Sequence, residues 1–195
     1  MSVRPRVAVL ISGRGSNMQA LLDAAKAPDY PAEIALVLSN KPEAAGLDIA
    51  RGYGVMAQAI PSKPFGRDRE AHERALDAML RERDIAIVCL AGYMRILTPW
   101  LVNRWSGRML NIHPSLLPAY KGLDTHARVL AAGEARHGCT VHLVTDGMDE
   151  GPIVAQTEVP VLAGDTEASL AARVLAQEHL LYPAALAKLA RTVTP

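Results

Sequence analysis

Apolar runs of strand length recur along the chain with helical patterns between them: Val7 to Ser12, Ile34 to Ser39, Val55 to Ile60, Ile85 to Ala91, Met109 to His113 and Thr140 to Val144. The first four are almost continuously hydrophobic, as strands are when both faces of a parallel sheet are covered. Ile153 to Val161 is broken by Gln156, Thr157 and Glu158 and reads as an edge strand. Between these runs, Met18 to Ala27, Ala45 to Arg51 and Arg67 to Arg83 carry helix-forming residues at suitable spacing, with Gly52 placed to stop the second. Thr98-Pro99 reads as a helix start, Thr as cap and Pro in the first turn. Asp165-Thr166 opens a long helix rich in alanine and leucine through about Ala190, which Pro183 is expected to bend or divide. The alternation predicts an α/β fold, a doubly wound, mostly parallel sheet with helices on both faces of the Rossmann-like kind.

Length and charge narrow the class. With 195 residues, half of them hydrophobic, the chain can bury a proper core, and residues 1–195 are expected to form one domain. Lys and Arg number 21 against 20 Asp and Glu, and no basic run interrupts that balance, so a nucleic-acid partner is not expected. Val7 to Ile11 is too brief for the core of a signal peptide, and no segment approaches membrane-spanning length. Only Cys89 and Cys139 occur, which suits reduced, buried thiols and a cytoplasmic location better than a disulfide framework.

Candidate chemistry lies at the ends of the predicted strands, where open α/β sheets bind ligands. Val7-Ala-Val-Leu-Ile-Ser-Gly-Arg-Gly-Ser-Asn-Met18 places a glycine-rich turn between strand and helix, where backbone amides and the helix dipole favour an anion. A dinucleotide fingerprint would have glycine in place of Met18 and an acidic residue near Ser39-Asn40; a triphosphate loop would have Gly-Lys-Ser or Gly-Lys-Thr. What remains is a site for one phosphate, with Ser16 and Asn17 free to donate or to cap the helix, or else simply a tight, well-capped turn. Asn111 and His113 are two apart, so in a strand they share a face, and Pro114 holds His113 extended. Taken alone, the ordinary account of Asn-x-His is a satisfied polar strand end. Asp149, in the turn-rich loop Thr145 to Gly151, could return a carboxylate to His113, favouring the charged imidazole while Asn111 donates to an oxygen gaining negative charge. That chemistry is acyl transfer to a nucleophile.

Two other chemistries fit less well. Neither Ser16 nor Ser115 sits in a G-x-S-x-G elbow, so the nucleophile is expected from the substrate. A metal site could draw on His113, His142, Cys139 or Asp149, but no H-x-x-x-H or C-x-x-C spacing is present, and no metal is expected. His72 is read as part of a surface helix and His137 as part of a loop, both solvated. His126, His142 and His179 stay open; His142 could face the crevice or simply bond within the sheet. Asp146 and Glu150 read as turn residues.

Ser12-Gly-Arg-Gly-Ser-Asn17, Leu90-Ala-Gly-Tyr-Met-Arg-Ile-Leu97, Leu110-Asn-Ile-His-Pro-Ser-Leu-Leu-Pro118 and Asp149 together resemble the phosphoribosylglycinamide formyltransferases of purine biosynthesis, over nearly the whole chain. The resemblance implies transfer of a formyl group from 10-formyltetrahydrofolate, as co-substrate, to the amine of 5'-phosphoribosylglycinamide (glycinamide ribonucleotide), by direct attack through a tetrahedral intermediate and without a metal. It implies Asn111, His113 and Asp149 as the catalytic trio, Gly15, Ser16 and Asn17 on the phosphate, and Glu178 on the ribose. Met94, Arg95, Ile96 and Leu97, with Asn111, would line the folate pocket, and Arg69 would approach the folate's glutamate tail, with Arg67 a neighbour the alignment leaves open. The implied partners are these small molecules, and the implied assembly is a monomer or homodimer. Arg14, a cation in the phosphate turn, and Asp124, where some relatives carry histidine, depart from the pattern.

The His-Pro-Ser-Leu-Leu-Pro segment is also similar to methionyl-tRNA formyltransferase and formyltetrahydrofolate hydrolase. The first is expected to carry a further C-terminal domain and the second a regulatory domain ahead of the catalytic one. A first strand near Val7 and an end at Pro195 therefore favour the ribonucleotide enzyme. The alternatives are the hydrolase and a folate- or nucleotide-binding module without catalysis.

Overall fold

The structure, a computed structural model, describes residues 4–193. Seven strands, β1 (Arg6–Ile11), β2 (Glu33–Ser39), β3 (Met56–Ala59), β4 (Ile87–Leu90), β5 (Met109–His113), β6 (Arg136–Leu143) and β7 (Ile153–Pro160), form one sheet in the order β3-β2-β1-β4-β5-β6-β7. The first five are parallel, and β6 and β7 are added antiparallel. The chain winds outward from β1 to β3 and then resumes at β4 on β1's other side. The crevice beyond the β1 and β4 carboxyl ends is thus the topological switch point of an open α/β sheet.

Successive strand residues point to opposite faces, and both faces are buried. Val7, Val9 and Ile11 pack with α1 (Ser16–Ala25), α2 (Gly46–Gly52) and α6 (Glu167–Ala190) through Met18, Leu21, Leu47 and Tyr182. Ala8 and Leu10 face the other way, toward α3 (Arg69–Glu82) and α4 (Pro99–Arg104), through Leu76, Leu80 and Leu101. A smaller cluster, Val129, Cys139, Val159, Leu170 and Val174, seats α5 (Thr125–Ala131) between β6, β7 and α6. The expected doubly wound, mostly parallel sheet is therefore present.

Several local expectations are corrected. α2 ends at Gly52, the residue placed to stop it, though Gly54, at φ +76°, and not Gly52 takes the left-handed position after the helix. Pro183 does not divide α6, which runs unbroken because Leu170, Val174, Tyr182 and Leu186 hold it against the sheet on both sides of the proline. His137 lies not in a loop but inside β6, which starts four residues earlier than its apolar run, and it is 1% exposed. His72 is not solvated: it faces inward from α3, wholly buried, with Nε2 on the Ile60 carbonyl oxygen at 2.8 Å.

Candidate active site

The glycine turn follows β1 as expected. Gly15, at φ 76° and ψ 32°, is the N-cap of α1, and neither Ser16 nor Asn17 caps the helix with its side chain. Glycine is needed here on two counts, since a Cβ would also meet Met18 Cε at 3.0 Å and the Gly46 Cα at 3.2 Å. The first-turn amides of Ser16 and Asn17 are left without intrahelical acceptors, an arrangement suited to an anion. Asn17 Nδ2 donates to Glu178 Oε2 at 2.7 Å, which ties the turn to α6 across 161 positions of sequence. Burial raises the Glu178 carboxyl, and the bond from Asn17 works against that rise. Among the described residues, the buried Asn17 Oδ1 has no hydrogen-bond partner, so a polar atom remains for a ligand beside the middle of α6.

The second wall of the crevice is the segment after β4. Ser12 Oγ donates to Asn40 Oδ1 at 2.6 Å and accepts from the Met94 N–H at 2.8 Å, joining three strand ends through one hydroxyl. Met94 and Ile96 are 66% and 63% exposed, whereas Leu97 turns back onto the α3 and α4 core. Exposed apolar side chains beside a polar crevice offer a contact surface for a ligand. Arg69 places Nη1 3.3 Å from the Ile96 carbonyl oxygen, so it borders this wall, and Arg95 is half-buried in it. Glu73 fixes the segment's far end, accepting from both the N–H and the hydroxyl of Thr98.

The antiparallel register of β5 and β6 builds the third part. Asn111 lies opposite His142 and His113 opposite Thr140, so all four project from one face. Asn111 Nδ2 is 3.2 Å from His142 Nε2, and His142 Nδ1 is 2.9 Å from the Leu143 carbonyl oxygen. A carbonyl only accepts, so Nδ1 carries a proton and the neutral ring's Nε2 can accept from the Asn111 amide. One amide proton of Asn111 then remains for a ligand. His142, which the alternating pattern left undecided, thus belongs to the site.

Asp149 reaches the same place. Its Oδ2 lies 3.4 Å from His113 Nδ1 and its Oδ1 3.6 Å from His142 Nε2, and Oδ2 also accepts from the Gly122 N–H at 2.9 Å. The His113 distance is that of an ion pair rather than of a short charge-assisted hydrogen bond, while His142 Nε2, taken up by the Asn111 amide, is a near neighbour of the carboxylate. Burial pushes the Asp149 carboxyl up, but His142 beside it, the bond from the Gly122 N–H and the neighbouring His113 outweigh it, leaving the group below its ordinary value. His113 Nε2 is 3.0 Å from the Tyr120 carbonyl oxygen, so both ring nitrogens face acceptors. Thr140 Oγ1 donates to the Ser115 carbonyl and accepts from Leu117 N–H and Gln156 Nε2, which clamps the loop after His113 onto β6 and β7.

The chain as a whole can be compared with known proteins. Residues 5–186 match the family described as formyl transferase. The chain belongs to that family. The formyl transferase is 47% identical over 177 residues to phosphoribosylglycinamide formyltransferase of Escherichia coli, covering 91% of this chain and 83% of that one. It is 49% identical over 183 residues to the human trifunctional purine biosynthetic protein adenosine-3, covering 94% of this chain but only 18% of the human one. Its fold superposes on the crystal structure of phosphoribosylglycinamide formyltransferase from Brucella melitensis with a TM-score of 0.92 at 55% identity, over 96% of each chain.

The structure brings together most of the residues singled out from sequence: Asn111, His113 and Asp149 in one cluster, Gly15, Ser16, Asn17 and Glu178 in a second, and Arg69 beside Met94 to Ile96. Leu97 is partly buried and packs against the α3 and α4 core. Cys89 and Cys139 are free and buried, and burial pushes both thiols up to about 12. Among the described residues, no three His, Cys, Asp or Glu side chains are grouped to hold a metal ion, and no helix is long and apolar enough to cross a membrane.

Proposed function

We propose the following reading of this site. The chain is a phosphoribosylglycinamide formyltransferase, moving a formyl group from 10-formyltetrahydrofolate to the amine of glycinamide ribonucleotide, with residues 1–195 acting as one catalytic unit. The observation that carries it is the convergence of two unlike sites on adjoining strand ends: a phosphate-sized glycine turn bridged to Glu178, and the dry Asn111, His113 and Asp149 cluster beside the exposed Met94 and Ile96. The ribonucleotide phosphate takes the amides of Gly15, Ser16 and Asn17, and its ribose takes Glu178. The folate ring lies against Met94 and Ile96, with Arg95 and Arg69 near its acidic tail.

Formyl folate, when bound, supplies the electrophilic carbonyl; the rest of the chemistry falls to the chain. The free Asn111 amide proton meets the carbonyl oxygen as it gains charge during attack by the amine. His113 exchanges the Tyr120 carbonyl for that same oxygen, so its Nε2 proton adds a second donor. Asp149 keeps the imidazole doubly protonated and lies close enough to receive the proton the amine sheds, which leaves with the folate nitrogen when its bond to the formyl carbon breaks. With His113 6% and His142 2% exposed, these interactions act at low effective dielectric. Two buried free thiols suit a reducing cytoplasm.

The absorbance of the deformylated folate, followed with and without glycinamide ribonucleotide, tests the reading. Product only in the presence of the amine supports the transferase. Equal product without it makes the chain a hydrolase, and no product at all makes it a binding module.

A further inference from the structure

The pair His113 and Asp149 is held by two loops. From residues 120–122, the Tyr120 carbonyl accepts from His113 Nε2 and the Gly122 N–H donates to Asp149 Oδ2. The other loop, 145–151, carries Asp149 itself at φ +54°, a left-handed conformation that is uncommon outside glycine and that aspartate tolerates. Asp149 lines an open cavity of about 180 Å³ between the two loops, with Leu117, Pro118 and Ile153 among its other walls. Arg128 Nη1 holds the carbonyl oxygens of Lys121 and Leu123, and the Tyr120 hydroxyl donates to Glu134, but both ties fasten the first loop to its own α5 side. Among the described residues, only two hydrogen bonds cross from one loop to the other: Gly122 to Asp149, and Lys121 Nζ to Glu150 Oε1 at 2.8 Å.

We propose that the Lys121 and Glu150 ion pair is a positioning strap, which keeps the Asp149 carboxylate at His113 by tying the two loops across the cavity. The proposal rests on the catalytic reading of His113 and Asp149. Neither strap residue touches substrate; both act through the loop backbone. Their side chains are 38% and 57% exposed, so the pair is screened by salt and adds little to global stability. Its effect is on the fraction of molecules in which Asp149 is in place, and an exposed pair shifts such a balance by about twofold to fivefold.

Lys121→Met, Glu150→Gln, the charge swap Lys121→Glu with Glu150→Lys, and Asp149→Asn are compared in the whole chain at saturating substrates. Each single strap variant is expected to lower kcat by about twofold to fivefold at low salt, leaving KM for the ribonucleotide and the unfolding temperature unchanged. The swap is expected to restore kcat, and added salt to slow the unaltered chain but not the single variants. A swap as slow as the singles, or singles with unaltered kcat and salt response, overturns the strap. If Asp149→Asn is slow while the strap singles are normal, the strap alone fails. If Asp149→Asn is itself near normal, the catalytic reading fails and the strap with it.

Discussion

Gly151→Ala perturbs the position of Asp149 without touching its chemistry. Gly151 is buried where the loop from β6 returns toward β7, and its backbone passes the end of β6 so closely that a Cβ would lie 2.8 Å from the Leu143 carbonyl carbon and closer still to its oxygen. An ordinary contact between such atoms is about 3.5 to 4 Å, so the loop must withdraw by about 1 Å or more to admit one methyl group. Asp149 lies two residues away and stands 3.4 Å from His113, a separation with no slack for ion pairing. Misplacement by about 1 Å costs a positioned catalytic group about a hundredfold in rate, whereas overpacking at one site costs about 1 to 3 kcal/mol of stability. The expected outcome is therefore a kcat lowered by about a hundredfold in a protein whose unfolding midpoint falls by only about 2 to 12 °C. Steady-state absorbance of the folate product and thermal unfolding by circular dichroism measure the two effects. A folded Gly151→Ala protein with unaltered kcat would refute the claim that this loop's placement sets the activity of Asp149.

Three further outcomes follow from other parts of the molecule. His126 Nδ1 and His137 Nε2 lie 2.9 Å apart with one proton between them; burial, then the charges of His126 and His113, push His137 down to about 4, and burial also lowers His126. Between about pH 6.5 and 4 the unfolded chain binds protons that the folded chain refuses, so the neutral pair's contribution is full above pH 6.5 and falls as acid is added, by up to about 1.4 kcal/mol per pH unit for each histidine. Urea unfolding across that range should show this slope, and His137→Gln should flatten it; an unaltered slope would count against the pair. Glu178→Gln removes a charged acceptor from the proposed ribose site, and should raise KM for the ribonucleotide by about tenfold or more with little change in kcat; an unchanged KM in initial-rate kinetics would remove Glu178 from the site. Ser12→Ala removes the hydroxyl that joins the Met94 N–H to Asn40 and should cost about 0.5 to 1.5 kcal/mol, read as weaker folate binding by fluorescence titration, and unchanged folate affinity would show that Ser12 does not shape that wall.

What could be read from sequence and what could not divides along physical lines. The shared face of Asn111 and His113 follows from the two-residue period of a strand, and the Gly15 turn from glycine's freedom at positive φ, so both were legible locally. That His142 completes the cluster depends on an antiparallel register between β5 and β6, set by long-range pairing that no local pattern encodes. The same holds for Lys121 and Glu150, whose partnership is made by two loops folding over a cavity. His72 was misread for another reason: His72, Glu73, Leu76, Asp77 and Leu80 form one buried stripe at helical spacing, but its polar members look solvated in sequence. Glu73 accepts from Thr98, and Asp77 from Arg104 and Trp105, so these carboxylates are held in place by partners 25 to 28 residues away. Polar residues interleaved with leucines on one helix face were the available signal. His137 was misplaced because Arg136, His137 and Gly138 carry no apolar run; they are drawn into β6 by pairing with Glu158, Val159 and Pro160.

The most direct test of the account is the single-turnover rate of His113→Ala with both substrates saturating, measured beside its affinity for glycinamide ribonucleotide. If His113 stabilises the reacting oxygen and Asp149 keeps it charged, the rate should fall by about a hundredfold to ten-thousandfold, while ribonucleotide affinity, set by Gly15 to Asn17 and Glu178, stays within about twofold because the cluster it depends on is untouched. A near-normal rate, or a loss seen only in ribonucleotide binding, would contradict the account and return His113 to the role of a satisfied strand end.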